Sequence, residues 1–533
     1  MDSLLQDLRY AARTLARQPG FTAVAVFTLA VGIGANTAIY SVVDATLLRT
    51  LPYEDPSRLV KVSLTVPSMH GDRPRDDMIW SYPKYEFFRQ NQQVFADTAV
   101  YFNNTLNLTG TDEPERLRVE FIGASYFPVL GIRAVAGRTF LPQEDVTPGK
   151  DMVAVISHSL WERRYGADRG LVGKTIGLDQ KSYTVVGVLP AGFQGLSGPA
   201  DVWLPAHTLD AEEFRQAQSH SWQLVARLKP GITVEQARSA VAVLGPMIEK
   251  AYPMRTSSGW GAKARTLEET RFEPDIRNSV LVLFGAVGFV LLIACVNIAN
   301  LLLARGTVRA REIAIRLAVG ANRGRLIRQL MTESVLLALC GAAASLLVAW
   351  WGVNVLGSIN PVAGNPFGRR ISGLTVLGLG SIRLDGSALL FTLLAALATG
   401  ILFGLAPAWQ GSRADVTDAL KNAGTRPSGV TGKSMLVIAE VALAVVLLTG
   451  AGLMLKSFGR LITTRSGIDP DNVLTLRVDL PDAAFNSPAA ANFYSQLEQR
   501  VAALPGVVSA GVGNCFALAG GCNGTQRSGD QLY

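Results

Sequence analysis

Four cysteines and four histidines in 533 residues leave this chain little material for chemistry at a point. So few cysteines exclude a disulfide scaffold. None of the histidines, His70, His158, His207 or His220, has a second His or Cys at metal-ligand spacing. No Gly-x-Ser-x-Gly elbow is present, and no Ser, His and acid set stands out. Two GK pairs, Gly173-Lys174-Thr175 and Gly432-Lys433-Ser434, lack the glycine that a phosphate-cradling loop needs five positions earlier, where Asp168 and Pro427 stand instead. The chain is therefore expected to be no enzyme, to bind no metal and no cofactor, and to leave any nucleotide hydrolysis to another polypeptide. Charge is scarce too: Asp, Glu, Lys and Arg make up 17% of the residues, against about 25% in an ordinary soluble domain. That shortage excludes a disordered chain.

What the chain has is apolar sequence, at 49% of residues and a mean hydropathy of +0.25. It is gathered into blocks. Five stretches approach or exceed the roughly 20 residues that cross a bilayer: Phe21–Leu48, Asn278–Leu303, Ser334–Leu356, Ala388–Trp409 and Ser434–Leu455. The Gly-rich run Leu374–Ile382 is too short for another and reads as loop. The net charge of +8 lies mostly in segments flanking these blocks, the pattern of cytoplasmic membrane flanks rather than of nucleic-acid binding. Arg9, Arg13 and Arg17 precede the first block, Arg305–Glu333 carries seven Arg against two Glu, and Gln410–Lys433 adds Arg413, Lys421, Arg426 and Lys433. All three fall on one side if each block is crossed once, which predicts a cytoplasmic N-terminus. Arg369, Arg370 and Arg383 lie on the other side and break the rule locally.

The first block is about twice as long as the 7–15 residues of a secretory signal core, so it reads as an anchor. Before it, Leu4, Leu8, Ala11 and Leu15 recur at helical spacing, and residues 1–20 read as an amphipathic helix along the inner membrane surface. The segment 49–277 is left outside as an α/β domain. Met152–Ile156 and Tyr183–Val188 are β-rich runs, and Val234–Glu249 has helical spacing after Pro230-Gly231, with Thr233 as its N-cap. Within the spans, Asn297 and Asn300 are expected to pack and hydrogen-bond against another helix. Glu440 lies near enough to the start of its span to reach the interface, and Cys295 and Cys340 serve as small apolar residues. A disulfide between Cys515 and Cys522 is chemically allowed on the outer side and stays open.

The segment 304–333 carries the most specific pattern. Arg305–Val319 reads as a short helix that ends at Gly320 and restarts into the third span, with Glu312 placed favourably four residues before Arg316. Ile313 and Leu317 share one face and Arg309 and Arg316 another, so the loop offers apolar and cationic surfaces. LLIACVNIANLLLAR (Leu291–Arg305) followed by REIAIRLAVGA (Arg311–Ala321) resembles the second span and coupling helix of the MacB/FtsX-type ABC transporter permeases. In the outer domain VAVISHSLWERRYG (Val153–Gly166), GKTIGL (Gly173–Leu178), YTVVGVLPAGF (Tyr183–Phe193) and LKPGITVEQA (Leu228–Ala237) are similar to the periplasmic core domain of that family.

The resemblance covers nearly the whole chain, and its motifs are specific in combination although each is degenerate. It implies a polytopic α-helical membrane protein of about five spans with a large α/β extracytoplasmic domain. Residues 21–48 would be the first span, 49–277 the MacB-like core domain, and 278–409 the FtsX-like permease domain with spans at 278–303, 334–356 and 388–409. A linker at 410–433 and a fifth span at 434–455 would follow. DPDNVL (Asp469–Leu474) after the fifth span echoes DPSRLV (Asp55–Val60) after the first. A second unit is therefore expected to begin there and to be left incomplete over 456–533, as in a truncated relative of the duplicated acidobacterial orphan permeases. The coupling motif would comprise Arg311, Glu312, Ile313, Ala314, Arg316, Gly320 and Ala321. The implied role is a permease subunit in the inner membrane that couples hydrolysis by a separate ABC ATPase to movement of the outer domain. The alternative is a non-transporting regulator of an extracytoplasmic partner such as a cell-wall hydrolase. Membrane lipid and a second permease half or periplasmic protein are further implied partners; nucleic acid is not.

Overall fold

The computed structural model describes residues 2–49, 51–67, 75–110, 115–253, 259–270, 274–318, 323–358, 384–412, 430–463, 473–476, 478, 488–513, 527–528 and 531–532. They divide into a helical unit and an α/β unit. Leu374–Ile382, Gly320, Ala321, Cys515 and Cys522 lie outside the described residues.

The helical unit opens with α1 (Asp2–Ala16) and α2 (Pro19–Val43). Pro19 starts α2, where a missing N–H costs nothing, and the Thr22 hydroxyl donates to the Leu15 carbonyl at 2.8 Å to close the joint. A single π-helical turn, Asp44–Leu48, ends the run. The expected amphipathic helix is present with its packed face turned. Of its apolar residues Ala11 and Leu15 are buried against the unit, but Leu8 is 42% exposed and Asp7 is buried. The reason is an ion pair, described below, which gives Asp7 a partner inside the unit.

The α/β unit is built on strands β1 (Leu59–Val66), β2 (Arg75–Met78), β3 (Phe95–Thr109), β4 (Glu115–Ile122), β5 (Ala136–Gly137), β6 (Val153–Ile156), β7 (Thr175–Leu178), β8 (Lys181–Val188), β9 (Val202–Pro205), β10 (Gln223–Leu228) and β11 (Gly261–Thr266). They form one sheet in the order β11-β1-β10-β3-β4-β9-β6-β8-β5, with β2 on β1 and β7 bridging β3 and β8. Pairing is antiparallel except for β4 with β9 and β6 with β8. Side chains alternate between faces along a strand, and here both faces are apolar. Leu224, Ala226 and Leu228 of β10 join one core while Val225 joins the other; Val202 and Leu204 of β9 are likewise set against Trp203.

The larger core is closed by α3 (Tyr82–Asn91), α5 (His158–Tyr165) and α6 (Val234–Ala251), and the smaller by α4 (Tyr126–Leu130). The predicted cap of α6 is present as a full capping box. The Thr233 hydroxyl accepts from Gln236 N at 3.2 Å, and the Gln236 side chain accepts from Thr233 N at 2.8 Å. Gly245 lets α6 lie directly on β11, since a Cβ there would sit 2.4 Å from Ala262 N.

The chain then returns to the helical unit through α7 (Pro274–Ala318), α8 (Arg323–Ser358), α9 (Gly386–Ser412) and α10 (Val430–Thr463); α11 (Pro488–Ala502) follows. Among the described residues, four stretches are long and apolar enough to cross a membrane: Pro19–Val43, Arg277–Leu302, Gly324–Val355 and Val437–Ser457. In α9 the described apolar stretch is the shorter Gly386–Leu402, at the position of the expected fourth span. The first, second and third spans pack through small residues. A Cβ at Gly34 of α2 would lie 2.7 Å from Val348 Cβ of α8, and one at Gly341 of α8 would lie 2.5 Å from Leu29 Cβ of α2. Asn297 and Asn300 are half-buried. The interhelical amide bond comes instead from Asn36 of α2, whose Nδ2 donates to Gly32 O and to Val287 O of α7, each at 2.9 Å.

Candidate coupling site

The sequence predicts a short helix over Arg305–Val319 that ends at Gly320. In the structure this segment is helical to Ala318 and continues the second span, the two forming one unbroken helix of 45 residues, α7. At 1.5 Å per residue it is about 67 Å long, more than twice the hydrocarbon thickness of roughly 30 Å. No proline interrupts 275–318, and Ala, Leu, Arg and Ile carry the segment past Arg305, so nothing in the sequence forces a break. Arg311, Glu312, Ile313, Ala314 and Arg316 all lie in the last turns of α7, and α8 resumes at Arg323.

The start of α8 is braced by α1. Asp7 Oδ2 accepts from Arg328 Nε at 2.8 Å, with the carboxylate side chain 9% and the guanidinium side chain 43% exposed. A buried carboxylate in a membrane-associated bundle needs such a partner, which explains why α1 packs with Asp7 inward. Arg328 stands one and a half turns after the start of α8, so the amphipathic helix and the segment following residues 311–321 are held together.

A second polar seam joins α2 to α9. The Thr37 and Thr392 hydroxyls lie 2.9 Å apart, Tyr40 and Phe391 stack at 4.2 Å with 4° between planes, and Arg49 bonds Asp385. Cys295 of α7 is buried with its Sγ 3.7 Å from the Thr399 hydroxyl of α9, consistent with the small packing residue expected there.

The α/β unit buries its own polar clusters. Glu120 on β4 is 0% exposed. Its carboxylate accepts from Trp203 Nε1 at 2.7 Å, Tyr126 Oη at 2.9 Å, Ser197 N at 2.9 Å and the Ser197 hydroxyl. Tyr126 Oη in turn accepts from Leu196 N at 2.7 Å. Burial raises the Glu120 pKa while these bonds pull it back. The net effect is a loop, 193–200, pinned to the sheet. Gly195, at φ +89°, touches this carboxylate so closely that a Cβ would lie 2.4 Å from Oε2.

Asp145 accepts from Ala124 N, His207 N and His207 Nδ1, each at 2.9 Å, and the His207 ring stacks on Phe214 at 4.3 Å. Lys84 of α3 is 2% exposed; its Nζ donates to His220 Nε2 at 3.0 Å and lies 4.6 Å from the Trp260 ring centre. Among the described residues, no group of three or more His, Cys, Asp and Glu is arranged to hold a metal. These clusters hold backbone segments in place; none juxtaposes a nucleophile, a base and an open cleft.

Sequence reasoning missed Asp7–Arg328, Arg49–Asp385 and Glu120. The signal available was an acidic residue in an apolar face of a helix or strand, and single acids do not name their partners.

Residues 22–244 match the MacB-like periplasmic core domain and residues 284–416 the FtsX-like permease C-terminal domain. Among curated proteins, the chain is similar to the macrolide export ATP-binding/permease protein MacB of Burkholderia cenocepacia, at 25% identity over 370 residues, covering 67% of this chain and 49% of that protein. It is also similar to the protein of the same name from Shigella flexneri, at 26% identity over 335 residues, covering 62% and 47%. Among solved structures it matches the periplasmic region of MacB from Actinobacillus actinomycetemcomitans, at 13% identity and a TM-score of 0.31, over 42% of this chain and 94% of that one. The chain spans about half the length of the curated relatives it matches.

Proposed function

Because the chain belongs to the MacB/FtsX-type ABC transporter permeases, a multi-pass membrane family, we propose that it couples nucleotide hydrolysis on a separate ABC ATPase to movement of its α/β unit outside the membrane. The observation that carries this reading is the unbroken course of α7 from its span into residues 311–318. A hydrogen-bonded helix of that length is stiff, so a displacement imposed at Ile313 travels along the whole span. A flexible joint near Arg305 would absorb it.

In this mechanism the ATPase docks at Arg311–Ala321. Ile313 supplies the apolar contact and Arg311 and Arg316 the charged rim, and Gly320 with Ala321 completes the docking motif. The N-terminus, α1 and this motif lie on the cytoplasmic side, and Asp7–Arg328 holds α8 in register while the motif is pushed. No phosphate-cradling loop is found at either GK pair, so hydrolysis belongs to the partner. The output is mechanical: substrate is expelled or extracted as the α/β unit changes shape.

Burying Ile313 in a partner groove contributes on the order of 1.5–3 kcal/mol, whereas an exposed rim charge contributes under about 1 kcal/mol. Ile313→Asp is therefore expected to abolish co-purification of the cognate ATPase from membranes, while Arg325→Ala weakens it little. Unchanged recovery with Ile313→Asp would mean that residues 311–321 are only a basic flank of the membrane, and the assignment would be withdrawn.

A further inference from the structure

The outer seam of α2 and α9 closes on a single guanidinium. Arg49 is the last residue of the helical unit before the chain leaves for the α/β unit. Its Nη2 lies 3.2 Å from Asp44 Oδ2 and bonds Asp385 Oδ2, while its backbone N–H donates to Asp44 O at 2.8 Å and completes the π-helical turn. The other oxygen of Asp385 is committed to α9, accepting from Ser387 N at 3.1 Å, the Ser387 hydroxyl at 2.6 Å and Ala388 N at 3.1 Å. One carboxylate thus caps the first turn of α9 and holds the last turn of α2. A π turn carries one residue more than an α turn and is a common site of local adjustment.

We propose that Arg49 is a positioning residue, and that its pair with Asp385 is a releasable latch that sets where α2 hands the chain to the α/β unit. This rests on the coupling reading above and adds the point at which span movement is passed outward. Side-chain exposures of 39% for Arg49 and 37% for Asp385 decide between a permanent weld and a latch. Half-exposed ion pairs are weak and salt-sensitive, so this one can open and reform within a working cycle. The pairs deeper in the same seam, Thr37 with Thr392 and Tyr40 with Phe391, carry no net charge and keep the helices together when it opens. Arg49 is also bound on its own helix by Asp44, so on release from Asp385 it stays at the α2 end.

The test is a double-mutant cycle in the full chain, reconstituted in lipid nanodiscs with its ATPase: Arg49→Met, Asp385→Asn and both together. Asparagine still caps α9 but forms no ion pair. The readout is the ATP-dependent change in deuterium uptake of the α/β unit divided by ATP turnover. Each single substitution is expected to lower this ratio, by up to about fivefold for a pair of this exposure. The double variant should lower it no further, and Arg49→Lys should retain most of it. An unchanged ratio in Arg49→Met, or losses that multiply in the double variant, would overturn the latch.

If the unmodified chain recruits no ATPase, the coupling reading fails. The latch is then judged by exchange of the Arg49 amide alone. That exchange should quicken in both single variants and equally in the double, and identical exchange in all four chains would overturn it.

Discussion

Acidification should loosen one corner of the α/β unit, and His220 is the reason. Its Nδ1–H donates to Gln218 O at 2.9 Å, which leaves Nε2 as the acceptor facing the Lys84 ammonium at 3.0 Å. Burial, with the Lys84 charge adding to it, pushes the His220 pKa down from 6.5 to about 4. A base whose pKa is lower folded than unfolded binds more protons when unfolded. The stability that His220 supports is therefore complete above about pH 6.5 and is lost as pH falls toward 4.

A shift of that size is worth at most about 3.4 kcal/mol at 1.36 kcal/mol per unit. The ring is partly exposed, so roughly 1–2 kcal/mol is the working expectation. Burial also pushes Lys84 down, to about 8. Its effect falls between about pH 10.5 and 8 and is flat below, so the two windows do not overlap. On α6, Glu249 lines a small cavity together with Lys84 and Trp260 and accepts from Gly259 N at 2.6 Å. The assay is hydrogen exchange of residues 215–223 in the purified chain between pH 7 and 4.5, corrected for intrinsic rates. Protection should fall about tenfold in the native chain, as about 1.4 kcal/mol implies, and hold constant in His220→Gln, whose amide oxygen still accepts from Lys84. An equal loss in both chains would refute the reasoning.

Much of the architecture is legible in the sequence because it depends on patterns averaged over many residues. The apolar blocks, the Thr233 cap and the strands at Val153–Ile156 and Lys181–Val188 needed only composition and local spacing. The helix expected over Arg305–Val319 is present, but its continuity with the second span was not legible, for a related reason. A change from apolar to basic residues marks where a helix leaves the membrane, but the backbone ladder is indifferent to it and α7 runs on. The polar pairs were illegible. Asp7 with Arg328 and Arg49 with Asp385 are more than 300 residues apart in sequence, and only the packing of the helices reveals them. Asn36 shows the same limit: Asn297 and Asn300 carry the same amide in a better-marked segment, yet it is Asn36 of α2 that donates to Val287 O of α7.

Thiols introduced at Lys229 should react with an impermeant reagent in sealed cells while one at Arg325 is spared; the reverse pattern would overturn the orientation proposed here. Glu120→Ala leaves the Trp203, Tyr126 and Ser197 donors without their acceptor. It should destabilise the α/β unit by roughly 3 kcal/mol, read as early proteolysis at 193–200. Thr233→Ala removes the capping box of α6 and should cost about 1 kcal/mol by denaturant titration of tryptophan fluorescence, with a null effect counting against the cap. The brace between α1 and α8 makes an asymmetric prediction. Asp7 is buried and Arg328 is not, with side-chain exposures of 9% and 43%. Removing the arginine strands a desolvated carboxylate, whereas Asp7→Asn leaves a guanidinium that water can still reach and keeps a polar atom in the buried position. Arg328→Ala should therefore destabilise docking of α1 by roughly 2–3 kcal/mol and Asp7→Asn by about 1 kcal/mol. Exchange of the α1 amides in detergent measures both. Equal effects, or a larger one for Asp7→Asn, would mean that the carboxylate finds water despite its burial and that the ion pair does not hold α1.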